Sequence, residues 1–410
     1  MMPMPVGVIF GVTYFFLALG RIPGLGIDRA GIAVVGATAM IAVGALSLSD
    51  AAAAVDHETI VLLFAMMIVA SYLQISGFFA LATDRAARTL TGPRTLLAAV
   101  IAVSGILSAF LVNDVVCVAL TPLAVELCRK LRRPPIPYLV GLATASNIGS
   151  VATITGNPQN IIIGSLSSIS YLRFCARLAP VALIGLALDF LVVAWVYRRS
   201  LDSLQSEPAS QIDSNAQSPI DRALLYKSVC VTLVTIALFF THIPIALTAL
   251  GAAAILLLGR VRPDGVYRAV DWPLLVMFCG LFVVVRAFEI HIVRGWDIAH
   301  WHALLESPVV LVSILSAALS NLVSNVPAVL LFKSLMEVMP NKEQAWLALA
   351  MSSTLAGNLT VLGSVANLIV VENARRAGTE LGFVEYLKVG VPVTLLTILV
   401  GVVWLTGVRY

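Results

Sequence analysis

Charge is what this chain has least of. Only 12% of its 410 residues are Asp, Glu, Lys or Arg, against 60% hydrophobic, and the mean hydropathy is +0.98. Soluble domains carry about 25% charged residues, so polar surface is too scarce to clothe a water-soluble enzyme. Lys and Arg outnumber Asp and Glu only by 26 to 22, and no basic stripe interleaved with aromatics occurs, which excludes a nucleic-acid partner. The five cysteines (Cys117, Cys128, Cys175, Cys230 and Cys279) are scattered through apolar runs without a CxxC pair. They read as small buried hydrophobes rather than a disulfide framework or a metal site. A P-loop is missing, so ATP hydrolysis would need a separate ATPase subunit as partner. No nucleophile–base pair falls mid-span. The first apolar run lacks the basic flank and small-residue cleavage site of a signal peptide.

What is abundant is apolar sequence of spanning length. A crossing helix takes about 17–25 predominantly apolar residues, and such runs lie at 4–20, 30–48, 59–77, 138–163, 178–197, 228–241, 245–259, 272–290, 344–371 and 389–407. Two further stretches, 95–128 and 307–336, are too long for one crossing and carry polar residues at mid-length. Cytoplasmic loops retain Lys and Arg. Placing 198–227 inside leaves only Arg173, Arg177, Arg286, Arg294, Lys333, Lys342 and Arg409 at the outer face, seven of 26. Basic residues flank 95–128 on both sides, so it enters and returns from the cytoplasm; 307–336, with acidic flanks, enters from outside. The expectation is an all-α polytopic protein with ten crossings, two opposed re-entrant hairpins, both termini outside, and the bacterial inner membrane as its location.

The two halves also match. Ser104, Ser108 and Asn113 align at one offset with Ser316, Ser320 and Asn325. Asn147 then pairs with Asn358, and Gly156-Asn157-Pro158-Gln159-Asn160 with Gly363-Ser364-Val365-Ala366-Asn367. This order predicts two inverted repeats, 1–199 and 222–410, joined by a polar cytoplasmic linker at 200–221, with short interfacial helices at 169–177 and 379–388. Inverted repeats are the plan of secondary transporters, whose site lies at the midplane.

Non-helical backbone at membrane depth survives only where protein or water satisfies it, so mid-span glycines and amides point into a cavity. The hairpin tips at Asn113-Asp114 and Ser324-Asn325, and the breaks at 147–160 and 358–367, are such places. The predicted solute-binding set is Asn113, Asn147, Thr153, Asn157, Asn160, Ser324, Asn325, Asn358, Ser364 and Asn367, whose amides and hydroxyls suit a polyhydroxylated or ionic solute. An intramembrane carboxylate is by default functional, which assigns proton coupling to Asp114. Asp189, mid-span in Leu-Ala-Leu-Asp-Phe-Leu, reads equally as a proton-path group or a polar contact. Arg286 and Lys333 read as cations snorkelling to the outer face, and His300 and His302 as residues of an outer loop.

The series Asn113-Asp114, Leu120-Thr121-Pro122, Ser146-Asn147-Ile148-Gly149-Ser150, Gly156–Asn160 and Gly357-Asn358-Leu359-Thr360 resembles the ion transporter superfamily. Within it the chain is similar to the arsenite-permease (ArsB) and NhaD-type antiporter branch. The resemblance implies a scaffold domain, a transport domain of hairpins and broken helices, elevator-type movement and a homodimer. Dicarboxylate carriers of this superfamily have Ser-Asn-Thr at both tips; here they read Val112-Asn113-Asp114 and Ser324-Asn325-Val326. The Asn-Asp tip is the ArsB-like version. The reading is efflux of arsenite or antimonite against protons, with no cofactor and H+ as coupling ion. Na+/H+ antiport, an inorganic-anion or carboxylate permease, and a passive channel stand as alternatives.

Overall fold

A computed structural model describes residues 3–20, 25–89, 92–202, 221–259, 261–293, 308–336 and 339–407. Most of the polar linker, and the His300–His302 pair, lie outside the described residues. The regular structure there is helical throughout. The first half comprises α1 (Pro3–Leu19), α2 (Arg29–Ala42), α3 (Leu48–Ala54), α4 (His57–Ile75), α5 (Phe78–Thr89), α6 (Pro93–Phe110), α7 (Asn113–Lys130), α8 (Ile136–Ser150), α9 (Pro158–Ser167), α10 (Tyr171–Val196) and α11 (Arg198–Asp202). The second comprises α12 (Arg222–Phe239), α13 (Ile245–Leu257), α14 (Pro263–Arg268), α15 (Trp272–His291), α16 (Pro308–Val323), α17 (Asn325–Met336), α18 (Lys342–Ala356), α19 (Val365–Arg376) and α20 (Phe383–Gly407).

Helix starts follow local chemistry. Asp56, Ser170, Asp271 and Asn341 each accept a backbone N–H from the first turn of the helix they precede, each cap contributing about 1 kcal/mol. Among the described residues, α4, α6, α10, α12, α15 and α20 are long and apolar enough to cross a bilayer, and α1, α2, α13 and α16 are shorter apolar helices. The protein is therefore a multi-pass membrane protein. Leu183, Leu191 and Trp195 of α10 and Leu395, Leu399 and Val403 of α20 are exposed, as lipid-facing residues are.

The helices sort into two packed groups. One joins α1, α2, α4, α12, α13 and α15. The other joins the pairs α6–α7 and α16–α17 with α8, α9, α10, α18, α19 and α20. They meet where α4 touches α9, α15 touches α17, and α1 touches α16; at this seam the Tyr14 hydroxyl donates to the Pro327 carbonyl at 3.2 Å. Inside the second group α6 and α8 approach backbone to backbone. A Cβ on Gly149 would stand 2.0 Å from the Gly105 carbonyl oxygen, so only glycine fits.

Some elements differ from expectation. The stretches at 169–177 and 379–388 are not separate interfacial helices: α10 and α20 run unbroken through Pro180 and Pro392. Proline removes one backbone hydrogen bond, a loss that neighbouring helices absorb in membrane proteins. The spans expected at 138–163 and 344–371 are each two helices around a short 3-10 turn, Ile154–Gly156 and Val361–Gly363. The first arm of the first hairpin, α6, is itself of spanning length.

Candidate functional site: the two broken helices and the hairpin tips

Both breaks have one local geometry. Past α8 the chain is extended at Thr153 (φ −140°, ψ 164°), makes its 3-10 turn, and is extended again at Asn157 (φ −155°, ψ 164°) before α9. Past α18 the same sequence of conformations occurs at Thr360 (φ −136°, ψ 163°) and Ser364 (φ −141°, ψ 142°). Breaking a helix frees carbonyls, and in each break one asparagine caps two of them. Asn160 Nδ2 donates to the carbonyls of Ser150 and Thr153, both at 3.0 Å. Asn367 Nδ2 donates to those of Gly357 (2.8 Å) and Thr360 (3.1 Å). Every second-break residue follows its counterpart by 207 positions (367 less 160, 357 less 150, 360 less 153). That offset places Thr354, not Asn358, opposite Asn147, which corrects the pairing drawn from sequence.

Asn147 is the centre of the arrangement. Its Oδ1 accepts from Asn113 Nδ2 (2.9 Å) at the first hairpin tip and from Ser364 Oγ (3.0 Å) in the second break. Its Nδ2 donates to Asn358 Oδ1 (2.8 Å) and Asn367 Oδ1 (3.0 Å). An amide offers two donor and two acceptor positions, and here all four are taken by protein. Asn358 Nδ2 continues the chain to the Thr144 carbonyl at 3.1 Å. Asn147 thus holds both Asn358 and Asn367, tying α8 and the first hairpin tip to the second break. Asn113 Oδ1 and Asn160 Oδ1, by contrast, are buried without a partner among the described residues, so each has an acceptor position left open.

The remaining sequence-selected residues fall around this ring. Thr153 Oγ1 donates to the Ala109 carbonyl, fastening the break to α6. Asn157 Oδ1 caps α9 by accepting from the Asn160 N–H at 2.8 Å, while its Nδ2 donates to Ser150 Oγ at 2.9 Å. Ser324 adopts φ +77°, the left-handed bend that separates α16 from α17. With its amide turned to match its surroundings, Asn325 donates to the carbonyls of Gly363 (3.2 Å) and Ser353 (3.3 Å) and accepts from Gln159 Nε2 (3.3 Å). Two residues that sequence reasoning missed join the halves: Thr354 Oγ1 accepts from Asn157 Nδ2 at 3.2 Å and from Gln159 Nε2 at 3.1 Å. The 207-residue offset is the signal that marks Thr354.

Asp114 lies half-buried in the first turn of α7, beside Asn113, with no hydrogen-bond or ion-pair partner among the described residues. The positive end of the helix dipole favours a negative charge there. Asp189 is separate: it is buried on α10, and its Oδ1 lies 2.8 Å from Thr144 Oγ1. Arg286 and Lys333 are not free snorkelling cations. Both lie beside Glu289, at 3.0 and 3.8 Å, and the three line a cavity of about 190 Å³ at the seam, which Asp56 also lines.

This geometry can now be set beside known proteins. A citrate-transporter (CitMHS) family profile matches residues 14–356. The chain belongs to that family. It is 31% identical to a silicon efflux transporter of Oryza sativa subsp. japonica, over 96% of each chain. It is 26% identical to a Dictyostelium discoideum protein that carries the name transporter arsB, over 96% of this chain and 91% of the relative. Among solved structures, the YdaH transporter of Alcanivorax borkumensis aligns over 98% of this chain and 96% of its own, with a TM-score of 0.58 and 18% identity, a likeness of fold. This CitMHS-family chain is a secondary transporter, and neither it nor its family is enzymatic.

Proposed function

We propose that this transporter exports a small neutral hydroxo acid, arsenite or antimonite foremost, in exchange for protons, through elevator-type movement of the hairpin-and-broken-helix group. The observation that carries the reading is the absence of charge in the ring of Asn113, Asn147, Asn358, Asn367 and Ser364. A citrate-like polyanion entering it would meet no cationic side chain among these five residues, whereas As(OH)3 presents hydroxyls to amide oxygens. Asn113 Oδ1 and Asn160 Oδ1 are the acceptors for those hydroxyls. The names of the rice and Dictyostelium relatives, silicon efflux and arsB, support the same class of solute, because silicic acid is likewise a neutral hydroxo acid.

Asp114 carries the coupling proton in this reading. An ionised carboxylate is expensive to move through hydrocarbon, and protonation removes that cost. The group then crosses with the carboxyl protonated in one direction and, in the other, with solute bound, a solute hydroxyl donating to the carboxylate and offsetting part of that cost. The test is uptake into everted vesicles under an imposed pH gradient, offering arsenite, silicic acid, citrate and Na+ separately. Gradient-driven arsenite accumulation, abolished by Asp114→Asn, is the expected result. Dissipation of the gradient by Na+ alone, or accumulation of citrate alone, refutes it.

A further inference from the structure

The second intramembrane carboxyl plays no part in that exchange, and its surroundings define its protonation. Asp189 has no exposed surface, and Thr144 is its hydrogen-bond partner, at 2.8 Å. Its other oxygen, Oδ2, is buried without a partner among the described residues. The titratable side chain near it on α20 is Tyr386, whose buried hydroxyl likewise has no partner among those residues. From α8 it meets Thr144. On α6 and α18 the charged residues, Arg94, Lys342 and Glu343, stand in the first turn, and on α10 itself the cations Arg173 and Arg177 are more than two turns away. On α20 the charged residues Glu385 and Lys388 pair with each other near its start, and among the described residues no cation lies within ion-pair distance of the carboxyl.

A carboxylate with a single hydrogen bond and no cation is the costliest form such a group can take in a membrane interior. A neutral acid satisfies the same geometry. Its O–H donates to Thr144 Oγ1, and the threonine hydroxyl donates in turn to the Val140 carbonyl at 2.9 Å. The acid then fixes the stretch of α8 whose Thr144 carbonyl receives Asn358 Nδ2.

We infer that Asp189 is a positioning residue that keeps its proton throughout transport, a neutral acid holding Thr144 and, through it, Asn358 in the ring. Asp114 alone then exchanges protons. This deepens the proposed antiport and rests on it for its transport readout, but its spectroscopic readout needs no solute.

The test is infrared spectroscopy of the purified full-length protein in lipid, wild type against Asp189→Asn, from about pH 5 to about pH 9, a range over which an ordinary carboxyl is already ionised and a histidine titrates. The expected result is a carbonyl stretch of a protonated acid that Asp189→Asn removes and that neither pH nor added arsenite moves. In vesicles, Asp189→Asn, whose amide can also donate to Thr144, should keep the wild-type pH profile of transport. Asp189→Leu should raise KM about tenfold, the loss of one buried hydrogen bond, with the pH profile unchanged. A band that titrates in this range or shifts with arsenite overturns the inference, as does a displaced pH profile in Asp189→Asn. A pH-insensitive band in a protein that moves no arsenite sustains it and refutes the proposed substrate instead.

Discussion

Removing the Asn147 side chain should do more damage than removing any other side chain of the ring. Asn147→Ala leaves four partner groups without their hydrogen bond: Asn113 Nδ2, Ser364 Oγ, Asn358 Oδ1 and Asn367 Oδ1. Measured interhelical hydrogen bonds in membranes average about 0.6 kcal/mol, and buried ones in soluble proteins about 1 kcal/mol. Four of them amount to roughly 2–4 kcal/mol, or about 30- to 1000-fold in the folded-to-unfolded ratio. The assay is denaturant titration of the detergent-solubilised protein followed by tryptophan fluorescence. Asn147→Asp supplies a directional control. It keeps the acceptor oxygen but turns the donor edge into a second acceptor facing Asn358 Oδ1 and Asn367 Oδ1, so it should be destabilised at neutral pH. Acidification protonates the new carboxyl, restores one donor, and should recover part of the loss. If Asn147→Ala unfolds at the wild-type midpoint, the ring contributes nothing to stability and the reasoning fails.

Two further outcomes follow from packing and charge. Gly149→Ala forces a methyl against the Gly105 carbonyl and should cost more than about 2 kcal/mol, seen as lost monodisperse protein in size-exclusion chromatography, whereas Gly251→Ala, with open space around it, should be silent. A double-mutant cycle of Glu289→Gln with Lys333→Met should give a coupling of about 1 kcal/mol that shrinks with added salt, because the pair lines an open cavity.

The breaks and hairpin tips were legible because glycine, asparagine and proline interrupt otherwise apolar runs, and such interruptions need a polar environment at that depth. The helical, membrane-spanning class was legible from the same runs. The division of labour inside the site was not. Asn147 and Asn160 look alike in sequence, yet one has all four positions taken and the other keeps a free oxygen, a difference set by contacts across more than 200 residues. Thr354 was missed because a threonine within an apolar helix ordinarily bonds its own backbone. The short helix α5 was missed because Asp84, Arg85 and Arg88 make it too polar to read as a span, and its place against α7 is a tertiary matter.

The bond between Asn147 and Asn358 joins residues 211 positions apart, which bears on how the chain is made. Synthesis proceeds at about 5–20 residues per second, so Asn147 waits roughly 10–40 s for its partner to be translated. Throughout that interval the first half sits in the bilayer with an amide edge unmatched, together with the N–H groups and carbonyls its break exposes. A nascent first half should accordingly stay bound to the insertion machinery or to wetted surfaces, and arrival of the second half is what releases it.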